Sequence, residues 1–176
     1  MPKQKTITVY TINELTGRAQ ERAYDWLREG TYNHNWWDFV YSDAETVGLK
    51  ITSFDLDRNR HAEGEFTQSA ANVAKAILEN HGASCETHKT ASVFLKEYRK
   101  LETDVPTDYA DEDTDWTDSR EFQEQSEDCE NEFLKSLLED YSIMLQKESE
   151  HMSSKEYLDD MAEANGYEFD ESGRIV

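Results

Sequence analysis

Hydrophobic residues recur every three or four positions over most of the chain, which is typical of amphipathic helices. The longest such stripe contains Phe122, Phe133, Leu137 and Tyr141, and it predicts one helix over about residues 118–147. Shorter stripes predict five more helices, at 17–29, 35–47, between Ser69 and His81, at 90–101, and after residues 153–156.

Alternating β-branched and aromatic residues predict a small number of strands. They lie at 5–10, 49–56 and 63–67, with a closing hairpin in 167–176 and a bulge near Ser53-Phe54. The expected fold class is α+β: a small antiparallel sheet covered on one face by about six helices. A length of 176 residues and a hydrophobic content of 36% favour a single domain over residues 1–176.

Capping residues place several helix ends. Ser69 and either Asp118 or Ser119 are suited to N-caps, because a short oxygen-bearing side chain can accept from a free amide in the first turn. Ser153-Ser154-Lys155-Glu156 has the spacing of a capping box. Glycine favours helix termination, so Gly30 is expected to end the first helix and Gly48 the second.

Charge is concentrated in one segment of the chain. Residues 102–132 hold fourteen acidic residues and one basic residue, a net charge of −13 out of −21 for the whole protein. The first part, 102–117, contains Pro106 and predicts an acidic loop within the domain. Such a density of like charge opposes compaction and would repel DNA, RNA or an anionic membrane, so it favours a basic protein as partner.

Four of these acids, Glu121, Glu124, Asp128 and Glu132, share one face of the predicted long helix. Neighbours at this spacing lie about 5–6 Å apart, comparable to successive phosphates along a nucleic-acid strand. We therefore expect a surface that imitates nucleic acid. The predicted partner-binding residues are Asp111, Asp113, Asp115, Asp118, Glu121, Glu124, Glu127, Asp128 and Glu132. The alternative is a solvated helix face, which runs of charge usually form.

Metal and enzyme interpretations have weaker sequence support. Asp111, Asp113 and Asp115 fit the first positions of an EF-hand loop, but Trp116 replaces its glycine and Phe122 its bidentate glutamate. His81, Cys85, His88 and Cys129 match no strong zinc spacing, and no nucleophile motif surrounds either cysteine. We expect no catalytic residue, no metal and no cofactor.

The N-terminal residues, the lengths of the apolar stretches and the cysteines indicate the cellular compartment. The N-terminal residues 1–10 lack the apolar run of a signal peptide, and no apolar stretch approaches the length of a membrane span. Two irregularly spaced cysteines favour free thiols in a reducing compartment. The sequence leaves the oligomeric state open.

Two blocks of sequence resemble a broad group of small acidic phage and prophage proteins. The similar parts are 5–47, with Asn13-Glu14-Leu15-Thr16 and Trp36-Trp37-Asp38, and 153–176, with Asn165-Gly166-Tyr167; 53–58 and 80–87 resemble one branch. The resemblance implies a mobile-element origin and expression in a bacterial host cytoplasm. It supplies no catalytic residue. Proteins of this kind often inhibit host defence, as anti-CRISPR or anti-restriction proteins do.

The expected function is therefore inhibition of a bacterial defence complex. An acidic surface would block a basic nucleic-acid-binding site on a host protein or nucleoprotein complex. A regulatory binding module for another basic protein is the alternative.

Overall fold

Six α-helices and one two-stranded antiparallel sheet form the main regular structure of residues 6–32, 34–106, 109 and 115–176, which the computed structural model describes. This confirms the predicted α+β class. The helices are α1 (Gly17–Tyr32), α2 (Asp38–Thr46), α3 (Ala70–Asn80), α4 (Glu86–Thr103), α5 (Arg120–Met152) and α6 (Lys155–Asn165). The strands are β1 (Leu49–Asp55) and β2 (His61–Phe66).

The chain divides into two compact units. The first contains Met1–Trp37 and Gln146–Val176, and the second contains Asp38–Leu145. The boundary falls within α5, so residues of this helix belong to both units. Each unit has its own buried residues and is described separately.

The first unit packs α1 and α6 around a small apolar core. Its buried members are Ile12, Leu15, Ala23, Tyr24, Leu27, Leu158, Ala162 and Phe169. The C-terminal segment contacts α1 closely, because Gly173 (φ +80°) lies so near the Ala19 carbonyl that a Cβ there would overlap it. Only glycine combines that positive φ with that close approach at low cost.

The second unit packs its sheet against helices. In β1, Leu49 and Ile51 are buried, and the ladder with β2 shifts register between Ile51 and Ser53. This places the predicted bulge within about two residues of its expected position. Gly48 has a φ of +88° and makes the turn from α2 into β1. This confirms the prediction that Gly48 ends the second helix.

The predicted strand at 5–10 is wrong in its described part. The closing hairpin in 167–176 is confirmed only as one antiparallel bridge beside a turn in which Gly173 N donates to the Asp170 carbonyl at 2.9 Å. Residues 6–9 form no strand, Tyr10 makes a single bridge with Phe169, and Phe169 makes another with Ile175. Residue 5 lies outside the described part. Tyr10 and Phe169 exchange two backbone hydrogen bonds, at 2.8 and 2.9 Å, and Phe169 is fully buried, so one residue pair joins these segments where a longer ladder was expected.

Several helix ends differ from the predictions. α1 continues through Gly30 to Tyr32, and Thr31 donates to the Leu27 carbonyl inside it, at 3.0 Å. α4 starts four residues before the predicted position, and α5 runs five residues beyond it. The N-cap of α6 is Ser154, which accepts from Tyr157 N at 3.3 Å, so the predicted capping box at Ser153 is wrong.

Two other caps are confirmed. Ser69 Oγ accepts from Asn72 N at 3.4 Å, and Ser119 Oγ accepts from Phe122 N at 3.1 Å at the start of α5. Within the described part of the chain, none of the helices is both long and apolar enough to cross a membrane.

Candidate protein-interaction surface

The first half of α5 displays a stripe of exposed carboxylates. Glu121, Glu124, Asp128 and Glu132 are all exposed, and the continuous helix from Arg120 puts them on one face. Phe122 and Phe133 on the same helix are buried, so the core side and the acidic side are separate. We call these four residues the acidic stripe.

Cations among the described residues leave most of the acidic stripe uncompensated. Arg120 Nε lies 2.7 Å from Glu124 Oε1, with side-chain exposures of 89% and 61%. An exposed pair of this kind contributes little to stability. Among the residues that the structure describes, no other ion pair involves the acidic stripe, Asp118 or Glu127. The stripe therefore remains available to a cationic partner.

The remaining predicted acids have different surroundings. Asp118 and Glu127 are exposed. Asp115 Oδ1 accepts from Thr117 N at 3.0 Å and from Thr117 Oγ1 at 2.9 Å. These hydrogen bonds lower the pKa of the Asp115 carboxyl, which caps a short 3-10 turn at Trp116–Asp118. Asp111 and Asp113 lie outside the described residues.

A connected series of aromatic rings joins β2, α5 and α4. Phe66 contacts Phe133 at a centroid distance of 5.4 Å, and Phe133 stacks on Phe94 at 4.3 Å. From Phe94 the contacts pass to Tyr98, then Phe122, then Trp116. This series fixes α4 against α5 directly beside the acidic stripe.

Trp116 anchors the segment before α5. Its side chain is buried, and Nε1 donates to the Leu101 carbonyl of α4 at 3.0 Å. The indole therefore has both an apolar contact surface and a satisfied donor. The acidic segment, predicted to be a loop, thus contains a fixed attachment point for the start of α5.

Two adjoining cavities form a groove between α4 and α5. Their volumes are about 540 Å³ and about 380 Å³, and both are lined by Glu97 and Cys129. We call them together the α4–α5 groove. The rest of the lining is Lys89, Thr90, Val93, Phe94, Lys100, Leu101, Asp104, Pro106, Trp116, Gln125, Asp128, Glu132, Phe133 and Ser136.

The charges along the α4–α5 groove are mainly negative. Glu97, Asp104, Asp128 and Glu132 contribute carboxylates, and the last two also belong to the acidic stripe. Both groove lysines have nearby carboxylates: Lys89 Nζ lies 2.6 Å from Glu86 Oε1, and Lys100 Nζ lies 4.0 Å from Asp104 Oδ2. The groove therefore has acidic borders, and its floor lies over the largely buried rings of Phe94, Phe133 and Trp116.

Burial and negative neighbours disfavour the thiolate form of Cys129. Burial raises the pKa of the Cys129 thiol, and the charges of Glu97 and Glu130 raise it further. Burial and the Glu127 charge also raise the pKa of Glu130. The thiolate is the reactive form of cysteine, so this site suppresses nucleophilic chemistry.

The residues considered for zinc have other contacts. His81 Nδ1 is 2.8 Å from Thr87 Oγ1, and its buried Nε2 faces Asp43 Oδ2 at 3.6 Å. Cys85 precedes α4 and is exposed. Across the described ranges, no group of three His, Cys, Asp or Glu residues could hold a metal ion.

A separate opening of about 700 Å³ lies over β2 and α5. At its edge Thr90 Oγ1 donates to Asp140 Oδ2 at 2.7 Å, which joins α4 to α5. Burial raises the pKa of the Asp140 carboxyl, although the Thr90 hydrogen bond acts in the opposite direction. Asp140 therefore has a structural role, because its hydrogen bond with Thr90 connects α4 to α5.

Sequence reasoning found the acidic stripe but missed the α4–α5 groove. Glu97, Leu101 and Asp104 contribute the α4 side and are spaced four and three residues apart. That spacing was a usable signal, because it places them on one side of a helix. Trp116, which closes one end, lies in the segment 102–117 that the sequence predicts to be a loop.

Comparisons with family models, curated proteins and solved structures find no match for the chain. The functional argument therefore depends on the geometry of the acidic stripe and the α4–α5 groove. The resemblance to phage and prophage proteins stays a prediction.

Proposed function

We propose that this protein is a nucleic-acid decoy, which inhibits a basic protein by placing the acidic stripe of α5 in its nucleic-acid-binding site. The observation that carries the proposal is the exposure of four carboxylates on one helix face. Among the described residues only Glu124 has an ion-pair partner, and that partner is Arg120, one turn away on the same helix. A partner that binds polyanions has lysines and arginines to pair with them.

The energetics of such an interface are largely electrostatic. A basic site on the partner would gain from meeting fixed carboxylates, because the helix holds them at a spacing close to that of phosphates. Complementary charge speeds association and selects the partner. Binding should consequently weaken steeply as the salt concentration rises.

The proposed setting is the cytoplasm of a bacterial host. The resemblance to phage and prophage proteins supports a defence complex as the target, either a CRISPR effector or a restriction enzyme. Both classes bind nucleic acid through basic surfaces, as a decoy requires. On this proposal the protein acts through binding alone.

The test is an affinity capture from bacterial lysate at low salt, with and without added double-stranded DNA. The test variant carries Glu121→Lys, Asp128→Lys and Glu132→Lys. The control carries Glu156→Lys, Asp160→Lys and Glu163→Lys, the same charge change on exposed residues of α6. We expect the test variant to lose affinity for the captured protein by about 100-fold or more, and the control much less.

Competition by DNA decides between the two binding functions. Displacement of the captured protein by DNA supports the decoy proposal. If salt weakens the capture but added DNA does not displace the captured protein, the result supports a regulatory module for another basic partner. Capture that is equal at low and high salt contradicts both.

A further inference from the structure

We propose that the α4–α5 groove binds an amphipathic basic helix of the partner, with apolar side chains in the groove and lysines or arginines against its borders. This rests on the proposed function, because it describes the same partner more closely. It also goes further, since a nucleic-acid decoy alone needs only surface charge.

The interior of the groove is suited to apolar side chains. Phe94, Phe133 and Trp116 form the floor of the groove but are only 3%, 3% and 4% exposed. The apolar surface open to a partner therefore comes from Val93 at one end and from the half-buried Leu101 and Pro106 at the other. Val93 at the first end is 55% exposed, which leaves apolar surface in water until a partner covers it. Burial of such surface contributes about 25 cal/mol per Å².

The borders select a basic occupant. The carboxylates of Glu97 and Asp128 have no ion-pair partner among the described residues, while Lys89 and Lys100 each lie beside a carboxylate of α4 or its C-cap. A cationic residue flanking an apolar anchor would therefore find an available carboxylate. An acidic or uncharged segment would leave these charges uncompensated and partly desolvated.

The length of the groove matches a helix of several turns. Its α4 side runs from Lys89 to Asp104, fifteen residues on, which is about 22 Å along a helix axis. Docking of an amphipathic helix into an apolar groove places its anchors three or four residues apart. About four turns of such a helix would fit.

Other occupants have the wrong charge. The neighbouring chain segment 107–114 contains Asp108, Asp111, Glu112 and Asp113 and no basic residue. Its Tyr109 contacts Trp116 at a centroid distance of 5.1 Å but does not line the groove. A second copy of this protein would bring a net charge of −21, and nucleic acid is a polyanion. Each would meet the groove carboxylates with repulsion.

The test uses two fluorescent 14-residue peptides and the full chain. One peptide has lysines with leucines at helical spacing, and the other has serine at each leucine position and the same charge. We expect the lysine–leucine peptide to bind at least about tenfold more tightly, because only it fills the groove. Equal affinities would overturn the inference.

Two variant pairs locate the binding. Gln125→Trp fills the groove from α5, and Gln123→Trp adds the same bulk at an exposed position outside it. Glu97→Lys reverses a groove charge, and Glu102→Lys makes the same change nearby on α4. We expect Gln125→Trp and Glu97→Lys to weaken the lysine–leucine peptide about tenfold, while both controls bind like wild type. Circular dichroism verifies that each variant is folded.

The outcomes separate this inference from the decoy proposal. If Gln125→Trp binds the peptide like wild type but DNA still displaces the captured host protein, the groove inference fails and the decoy proposal stands. If DNA fails to displace the captured protein, and the groove variants lose the peptide, the decoy proposal fails and the groove inference stands. A dimer on size exclusion that Gln125→Trp dissociates would identify a second copy as the occupant and overturn the inference.

Discussion

At the scale of single residues, Tyr24 couples the first unit to pH. Its buried hydroxyl donates to Asp159 Oδ1 at 2.7 Å. Burial, followed by the hydrogen bond to Asp159, raises the pKa of Tyr24 to about 12. The folded state thus holds the phenol proton more tightly than the unfolded state, whose tyrosines titrate near pH 10. The resulting stability is complete below about pH 10 and is lost as the pH rises toward 12.

Replacement of Tyr24 by phenylalanine removes this titration. Between pH 8 and pH 11 the free energy of unfolding of wild type should fall by about 1 kcal/mol more than that of Tyr24→Phe. Urea titrations at the two pH values measure the difference. Tyr32→Phe, at a tyrosine that is 52% exposed, is the control and should follow wild type. Parallel curves for wild type and Tyr24→Phe would contradict the prediction.

At the scale of elements, the start of α5 sets the position of the acidic stripe. Ser119 is buried and its hydroxyl accepts from Phe122 N, while Trp116 fixes the preceding turn to α4. The first carboxylate, Glu121, follows two residues after the cap. A change at the cap would therefore alter both the stability of the helix and the presentation of the stripe.

Loss of this cap should cost about 1 kcal/mol in the free energy of unfolding for Ser119→Ala. Ser126→Ala is a suitable control, because Ser126 lies inside α5 and its hydroxyl only donates back to the Gln123 carbonyl. Alanine is favourable in a helix interior, so the control should be neutral or slightly stabilised. Chemical denaturation followed by circular dichroism gives both values; equal effects would contradict a capping role.

Elements with a local signal were predictable from the sequence. Ser69, Ser119 and Gly48 act within a few residues of their own positions, and the structure confirms each of them. Tyr10 and Phe169 meet across almost the whole chain, so alternation near residue 10 could not reveal that the contact is one bridge. Ser153 and Ser154 are adjacent and have the same side chain, and the capping-box spacing favoured Ser153, whereas the structure places the cap at Ser154.

In the candidate site, too, features within one helix were predictable and contacts between distant segments were not. The acidic stripe follows from spacing within one helix, so the sequence predicts it directly. The α4–α5 groove needs two helices and Trp116 brought together, and the pairing of Phe94 with Phe133 joins residues far apart in sequence. No local pattern contains that information.

At the scale of the whole molecule, the net charge of −21 opposes the folded state. The Debye length falls from about 30 Å at 0.01 M salt to about 8 Å at 0.15 M, so added sodium chloride should screen this repulsion. We expect Tm to rise with salt. The variant with Glu121→Lys, Asp128→Lys and Glu132→Lys has a net charge of −15, six units closer to zero, and should respond less. Differential scanning calorimetry at several salt concentrations tests this, and a falling Tm would contradict it.

The attachment of Trp116 to α4 has a spectroscopic consequence. The other tryptophans, Trp26, Trp36 and Trp37, all lie in the first unit, so Trp116 is the only indole between residues 38 and 145. Converting those three to phenylalanine would leave a single emitter at one end of the α4–α5 groove. Its wavelength and quenching by acrylamide would then report occupancy of the groove without any added label.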